Sequence, residues 1–430
     1  MSKLSYPRYQ HRSGWNALLP PRANTQSLST HLNVDVAVIG AGYTGIAAAK
    51  RWRELAPDDA IAIIDATVIG EGTPGRNSGF LLEIALANDA RAEQMQRMMK
   101  CNALIGTTME KIAAAVKASN IDCALRRTGT YRAAAGGPGK KALQQYRSFL
   151  HAAGLPYEML DRADLKQRLG TGFYQEGLYS PHCYLAQPAA LIQALAQQLP
   201  PTIQLYENTP ATALTRTANR WLIETPDGTI KACNVVLANN GFSKMPGVGK
   251  SRLLTIYTYA AITRVLDQGV LDSLGSEKNW GLLPTHRLGS TLRRTEDGRL
   301  MIRSRYGYET ETNNRLVAKA LMQSLQQRFP QLREPEFEHV WGGAIGFTIN
   351  GGPIWGEVQP GLFVSAGCNG GGVVKGTLFG ELLADLANKR KVPDVTGLFG
   401  SASWMPPEPF RALGFQLISA VEGYRGRAEA

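Results

Sequence analysis

The sequence predicts an α/β fold with a parallel β-sheet covered by helices, and three apolar runs predict it. The first run, residues 34–39, ends at Gly40, and a helix-like segment begins at once. The second, residues 60–64, ends at Asp65, and the third, residues 234–238, ends in small polar residues. Continuous apolar runs of this kind are typical of buried parallel strands.

The first strand–helix junction carries the glycine pattern G-x-G-x-x-G. Gly40 permits the tight turn, Gly42 lets the backbone approach a pyrophosphate, and Gly45 lets helix and strand pack closely. Asp65 follows at roughly the 20-residue spacing of a ribose-hydroxyl acceptor. The junction therefore predicts a Rossmann-type dinucleotide-binding domain. It leaves open whether the dinucleotide is NAD or FAD.

Composition indicates a globular protein of two or three domains. The chain has 430 residues, of which 44% are hydrophobic and 19% charged. Its net charge of +12 is spread along the sequence without a nucleic-acid-binding motif, so we expect no nucleic-acid partner. The sequence has no apolar run long enough for a transmembrane segment.

The N-terminal residues and the cysteines predict the cellular location and the metal content. Residues 1–33 lack the apolar core of a secretory signal, so we expect a cytoplasmic protein whose N-terminal arm lies on the surface. The 5 cysteines are scattered without metal-ligand spacing, which predicts neither a metal site nor a disulfide framework.

Periodicity predicts the remaining elements. Apolar residues at helical spacing predict helices at 90–118, 140–153, 187–196 and 315–328. Short alternating segments predict strands at 203–207, 211–215 and 220–225 and a β-rich region at 254–305. A strand at 361–366 leads into the triplet Gly370–Gly372, which opens a helix through Leu386. That helix offers a second N-terminus with free N–H groups, and a plain glycine turn is the alternative.

Four motifs together resemble the FAD-dependent D-amino-acid-oxidase superfamily. They are the glycine pattern with Asp65, the segment Gly70–Gly79 with its Arg76-Asn77-Ser78-Gly79 sequence, residues 234–241, and residues 361–386. The chain is most similar to the branch of gamma-glutamylputrescine oxidase, glycine oxidase and sarcosine oxidase. The tail at 405–411 resembles tails of the same branch. Thr73-Pro74 departs from the small residue and serine that are usual in the second motif.

The resemblance implies a glutathione-reductase-like, Rossmann-type FAD-binding domain with an inserted substrate domain of antiparallel β-sheet and helices. We expect the chain to alternate between the two domains. The segments are an arm at 1–33, the FAD-binding domain at 34–90, 185–250 and 339–390, the substrate domain at 91–184 and 251–338, and a tail at 391–430.

FAD is also favoured over NAD on physical grounds, because its longer ribityl chain and ring need backbone donors from further loops, and two more glycine loops are present. We expect non-covalent FAD, since Gly343 stands where the sarcosine oxidase branch has its flavin-linked cysteine. The cofactor-binding residues that the resemblance implies are Gly40, Gly42, Tyr43, Thr44, Gly45, Asp65, Ala66, Gly72, Thr73, Arg76, Asn77, Ser78, Ala211, Asn239, Gly241, Gly343, Asn369, Gly371, Gly372 and Val373.

The implied reaction oxidises a CH–NH bond of an amine or amino acid by hydride transfer to flavin N5, giving an imine that hydrolyses, with O2 as acceptor. Two alternatives stay open: a dehydrogenase passing electrons to a quinone or carrier, and a non-catalytic flavin-binding subunit. The region after Pro406 could dock a partner or a membrane surface, and packing of its helix on the protein is the favoured alternative.

No catalytic acid or base is evident, and four residues are candidates for the substrate side: Glu83, Tyr257, Tyr259 and Asn350. Glu83 in an apolar run would anchor a cationic amine, and the alternative is a solvated strand-end acid. Tyr257 and Tyr259 share a face at strand spacing and could line the pocket, and packing in the sheet is the favoured alternative. Arg303 could bind a carboxylate or pair with a surface acid. Lys375 lies one position from the carboxylate-binding lysine of sarcosine-oxidase-like enzymes, which favours amine or polyamine-derived substrates.

Overall fold

The computed structural model describes residues 2–22, 26–84, 94–245, 248–286, 288–332 and 335–429. The strands in chain order are β1 (Ser2–Lys3), β2 (His31–Ile39), β3 (Ile61–Ile64), β4 (Phe80–Leu82), β5 (Thr130–Ala134), β6 (Glu158–Asp161), β7 (Glu176–Ser180), β8 (Cys183–Leu185), β9 (Ile203–Tyr206), β10 (Ala213–Arg216), β11 (Trp221–Glu224), β12 (Thr229–Leu237), β13 (Leu254–Thr263), β14 (Trp280–Pro284), β15 (Thr291–Arg294), β16 (Leu300–Tyr308), β17 (Phe337–Phe347), β18 (Ile354–Gln359) and β19 (Leu362–Ala366).

The helices in chain order are α1 (Gly14–Ala17), α2 (Tyr43–Leu55), α3 (Met95–Lys117), α4 (Gly137–Ala152), α5 (Arg162–Leu169), α6 (Pro188–Gln197), α7 (Gln268–Asp272), α8 (Asn314–Arg328), α9 (Val374–Ala387), α10 (Val395–Phe399) and α11 (Phe410–Arg425).

The predicted parallel sheet is present. Strands β12, β2, β3 and β9 pair in parallel in that order, and β19 pairs in parallel with the other edge of β12. The antiparallel strands β10 and β11 extend the sheet from β12. Its central strands are buried on both faces, which explains their uninterrupted apolar sequence. The α/β prediction with a Rossmann-type unit is confirmed.

The second large sheet has the strand order β17-β13-β16-β15-β14-β5-β7-β6. Its pairings are antiparallel except that β14 runs parallel to β5. Apolar residues of α8, including Leu321 and Leu325, pack on one face of this sheet. The boundary predicted between 338 and 339 falls inside β17, which belongs wholly to this sheet.

The other face of the second sheet meets the dinucleotide-binding unit. Trp15 and Ala189 pack there against Ala260, Met301 and Trp341. The N-terminal arm that carries Trp15 was expected on the surface, and this expectation is wrong. Trp15 is buried because it fills the junction between the two sheets, and Leu4 and Leu28 are buried in the core of the parallel sheet.

No helix within the described residues is long and apolar enough to cross a membrane. The described residues also contain no group of three or more His, Cys, Asp or Glu side chains placed to hold a metal ion.

Candidate cofactor and substrate site

The turn between β2 and α2 has the geometry that its glycines predict. Gly40 has φ of +110°, and a Cβ there would lie 2.8 Å from the Ala238 carbonyl oxygen. A Cβ on Gly45 would lie 1.9 Å from the Gly40 carbonyl oxygen. Helix α2 therefore begins directly against the end of β2, as a dinucleotide-binding turn requires.

Two helix N-termini meet at this turn. A Cβ on Gly380 of α9 would lie 2.2 Å from the Thr44 carbonyl oxygen, and one on Gly376 would lie 3.0 Å from Thr44 Oγ1. Neither α2 nor α9 has a side-chain N-cap or an acidic residue in its first turn. No side-chain cap or first-turn acid therefore competes with an anionic ligand for the positive dipole ends of these two helices.

Asp65 ends β3 beside the turn. Its carboxylate accepts hydrogen bonds from the backbone N–H of Ala41 at 2.9 Å and of Thr67 at 2.9 Å. Burial raises the pKa of Asp65, although these donors act in the opposite direction. Asp65 therefore holds the glycine turn as well as standing where a ribose acceptor is expected.

Two further predicted cofactor-binding residues, Ala66 and Ala211, lie on segments near Asp65. Ala66 is half-buried directly after it, and the Asp65 carbonyl accepts a 2.7 Å hydrogen bond from the Thr209 N–H. That bond brings the buried Ala211 segment to the same strand end.

Arg76 links three parts of the chain. Its guanidinium donates to the carbonyls of Gly342 at 2.8 Å and His11 at 2.7 Å, forms an ion pair with Glu71 at 3.1 Å, and stacks 3.7 Å from the Tyr9 ring centroid. Arg76 thus fixes the loop that carries it. The place along the pyrophosphate and flavin that the resemblance implies for Arg76 stays a prediction.

The rest of this loop is fixed in the same way. Thr73 Oγ1 donates to the Ala344 carbonyl at 2.9 Å, and Tyr43 Oη donates to the Pro74 carbonyl at 3.2 Å. Asn77 Oδ1 accepts from the Gly79 N–H at 2.8 Å. Gly72 precedes the 3₁₀ turn Thr73–Gly75. These contacts place the loop between the glycine turn and β17.

The loop after β12 meets the loop after β19. Asn240 Oδ1 accepts from the N–H groups of Gly367 at 3.1 Å and Cys368 at 3.2 Å, a role that the sequence did not reveal. Asn369 is bound to the neighbouring turn, where its Oδ1 accepts from the Thr348 N–H at 2.9 Å. The predicted residues that accompany these side chains are Asn239, Gly241, Gly371, Gly372 and Val373. Asn240, with φ of +47°, carried no signal beyond following Asn239.

Glu83 has a protein partner. Its carboxylate lies 3.0 Å from Arg127 Nε, and 17% of its side chain is exposed. The predicted amine anchor assumed a carboxylate without a countercharge, and Arg127 supplies that countercharge.

The other three substrate-side candidates also have contacts within the protein. Tyr257 and Tyr259 share a face, as predicted, but it is the face that packs on α8. Asn350 is exposed, and its amide donates to the Ser401 carbonyl at 2.8 Å and accepts from the Ser403 N–H at 3.1 Å. Asn350 therefore attaches the C-terminal segment, a contact between residues distant in sequence.

Three arginines occupy the sheet face that meets the dinucleotide-binding unit. Arg293 pairs with Met301 on β16 and Gly281 on β14, so Arg303, two residues beyond Met301, lies on the same face. Arg132 shares it through its pairing with Leu283. In the sequence, Arg293 and Arg303 were visible as charged residues within the segments that form β15 and β16. The strand register was needed to show that their side chains share one face.

The three guanidiniums form no ion pair within the described residues. Arg293 is 3% exposed and donates to the Ser78 carbonyl at 3.3 Å, and no atom of the described part of the chain accepts from its Nε. Burial lowers the pKa of Arg293 to about 10, which leaves it charged at neutral pH. Arg303 donates to Thr291 Oγ1 at 3.5 Å and lies 5.9 Å from the Tyr306 ring centroid, and Arg132 stacks on Tyr146 at 4.5 Å.

Thr258 joins this face from β13. It pairs with Gly343, and a Cβ on Gly343 would lie 3.2 Å from Arg76 Cβ. Thr258 is 7% exposed, and its Oγ1 has no hydrogen-bond partner among the described residues. Arg303 and Thr258 are therefore polar groups with free capacity beside the loop of Arg76.

The glycine turn, the two uncapped helix N-termini and Asp65 fit a dinucleotide, and the comparisons with known proteins agree. The family model "FAD dependent oxidoreductase" (DAO) matches residues 35–386. A probable oxidoreductase OrdL from Rhizobium meliloti (strain 1021) is 28% identical, with 87% of this chain and 88% of the relative covered. The gamma-glutamylputrescine oxidoreductase of Escherichia coli (strain K12) is 25% identical, with 88% and 89% covered.

Solved structures show the same fold. Glycine oxidase from Geobacillus kaustophilus superimposes with a TM-score of 0.73 at 20% identity, covering 87% of this chain and all of that one. L-proline dehydrogenase from P. horikoshii gives a TM-score of 0.68 at 17% identity, with 86% and 97% covered. With its family model matched across both sheets, this chain belongs to the DAO family of FAD-dependent oxidoreductases.

Proposed function

We propose that the protein oxidises the CH–N bond of an amine that also carries an anionic group, with O2 as the final electron acceptor. The observation that carries this proposal is the set of Arg293, Arg303 and Arg132 on the sheet face beside the Arg76 loop, without a carboxylate partner in the described residues. A buried charge without a partner is costly, so a bound anion is the expected countercharge.

Arg303 is the group proposed to contact the substrate anion. It is half-buried and lies between Thr291 and Tyr306, whereas Arg293 is fully buried and bound to backbone carbonyls. A guanidinium can bind a carboxylate through two parallel hydrogen bonds. Arg293 and Arg132 then raise the local positive potential, which favours the anionic form of a ligand.

This proposal replaces the cationic substrate that Glu83 suggested. Glu83 already pairs with Arg127, so it has no need of a substrate ammonium. A net positive face would repel an amine that carries a second positive charge and no anionic group. It would accept an amino acid or another carboxylate-bearing amine, including a gamma-glutamylated one.

Bound FAD supplies the hydride acceptor for this oxidation. The residues proposed to hold it are the glycine turn with Gly42, the first turns of α2 and α9, and Asp65. Thr258 Oγ1, which is buried and has no hydrogen-bond partner in the described segments, is the second group proposed to bind the substrate, through its amine or its carboxylate. The protein's remaining task is to orient the substrate and exclude water, which favours a neutral reacting amine.

FAD is expected to be non-covalent, because Gly343 offers no side chain for attachment. Acid precipitation of the purified yellow protein should release FAD completely into the supernatant. The check is the absorption spectrum of supernatant and pellet after washing. Colour that stays with the precipitated chain would contradict non-covalent binding.

The acceptor is tested by reoxidation in air. After anaerobic reduction by a substrate, admission of air should restore the oxidised flavin spectrum and release one H2O2 for each substrate consumed. A peroxidase-coupled assay measures the peroxide. Reduced flavin that persists in air but is reoxidised by a quinone would instead assign a dehydrogenase.

A further inference from the structure

Helix α11 presents an apolar face that nothing in the described chain covers. None of its residues is buried. Six large side chains, which we call the C-terminal ridge, are 41–70% exposed: Phe410, Leu413, Leu417, Ile418, Val421 and Tyr424. Their spacing of three and four residues places them along one side of the helix. The expectation that this helix buries its apolar face on its own protein is wrong.

The opposite side of α11 is attached to the protein. The Phe415 ring lies 5.2 Å from that of Tyr308, and Glu422 lies 3.1 Å from His286 Nε2. Beyond the helix, Glu429 accepts from the Ala135 N–H at 3.0 Å. These contacts fix the orientation of α11, so the ridge faces outward as a consequence of the fold.

Basic residues border the ridge. Lys250 and Arg252 are exposed, and Arg411 connects α11 to that segment through the Lys250 carbonyl at 3.3 Å. Arg425 and Arg427 are exposed at the other end, and Arg427 stacks 4.7 Å from the Tyr424 ring centroid. The nearby acids Glu408 and Glu422 are engaged with Tyr308 and with His286 and Arg425.

We propose that the C-terminal ridge binds the surface of an anionic lipid membrane. An apolar helix face that ends in an aromatic residue and is bordered by Lys and Arg is the pattern of an interfacial helix. Its apolar side chains enter the acyl boundary while the guanidiniums meet lipid phosphates. The protein's net charge of +12 supports this charge complementarity, which a self-pairing ridge bordered by like charges lacks. The proposal is independent of the substrate and of the electron acceptor.

The test is flotation of the holoprotein with vesicles. Vesicles of phosphatidylcholine with about a third phosphatidylglycerol should carry the protein, and pure phosphatidylcholine vesicles should carry much less. The double variant Leu413→Glu/Leu417→Glu should reduce the bound fraction at least about tenfold, because it removes two inserted side chains. Raising the salt to about 1 M, where the Debye length is about 3 Å, should also weaken binding.

Leu316→Glu is the matched control, since Leu316 on α8 is as exposed as Leu417, at 67%. It should bind vesicles like the unaltered protein, and all variants should keep their flavin. Equal vesicle binding by the double variant, or none by the unaltered protein, would overturn the proposal. A stable dimer that the double variant dissociates, without vesicle binding, would assign the ridge to a second copy.

Discussion

Replacement of Gly42 by valine is expected to give folded protein that binds FAD much more weakly. The φ of Gly42 is −85°, which any residue adopts, so the effect comes from space. A Cβ there would lie 3.0 Å from Pro74 Cγ. Because Pro74 limits the room on that side, we expect the valine methyls to occupy the space at the start of α2 that the pyrophosphate needs. Overpacking of about 1–3 kcal/mol corresponds to roughly 5- to 150-fold weaker FAD binding. FAD titration of the apoprotein measures the change.

Gly106→Val is the control for this variant. Gly106 lies within α3, where a Cβ would meet no atom within 4 Å. It should keep its flavin, and circular dichroism should show that both variants are folded. A Gly42→Val protein with full flavin affinity would mean that the pyrophosphate does not approach α2.

Replacement of Arg303 by methionine is expected to lower kcat/KM for a carboxylate-bearing amine by roughly 30-fold or more. Loss of one partner of a buried charged hydrogen bond costs about 2–5 kcal/mol, and 2 kcal/mol is roughly 30-fold in rate. Flavin content should be unchanged, and Arg303→Lys should recover part of the activity. Steady-state kinetics with a saturable substrate separate the expected rise in KM from any fall in kcat.

Arg264→Met is the matched control, because Arg264 follows β13 and 72% of its side chain is exposed. It removes one positive charge without touching the proposed site. Glu83→Gln should also leave KM unchanged, since Glu83 pairs with Arg127. If Glu83→Gln raised KM while Arg303→Met did not, the cationic substrate that the sequence suggested would be favoured.

The cofactor turn was predictable because the backbone conformation and the close packing that it requires arise within one short segment of the chain. Gly40 needs a positive φ and Gly45 needs a close approach, and both follow from one strand–turn–helix segment. Asp65 was predictable from its spacing, although the structure adds that it also holds the Ala41 N–H.

The substrate side was not predictable, because it depends on strand register. Arg293 and Arg303 lie on neighbouring strands, and only their pairing places them on one face. Asn350 and Glu83 have partners, Ser401 and Arg127, that are remote in sequence. The environment of these side chains therefore required the fold.

The most direct test of the proposed function is anaerobic reduction of the flavin by pairs of amines. Two pairs differ only in a carboxylate, N-methylglycine and dimethylamine, and proline and pyrrolidine. A third pair, gamma-glutamylputrescine and putrescine, differs in a gamma-glutamyl group that carries a carboxylate. Loss of the oxidised flavin absorption is followed over time. We predict that reduction occurs with at least one carboxylate-bearing member and not with its partner. Equal reduction by an amine that lacks the carboxylate would contradict the role of the arginine face.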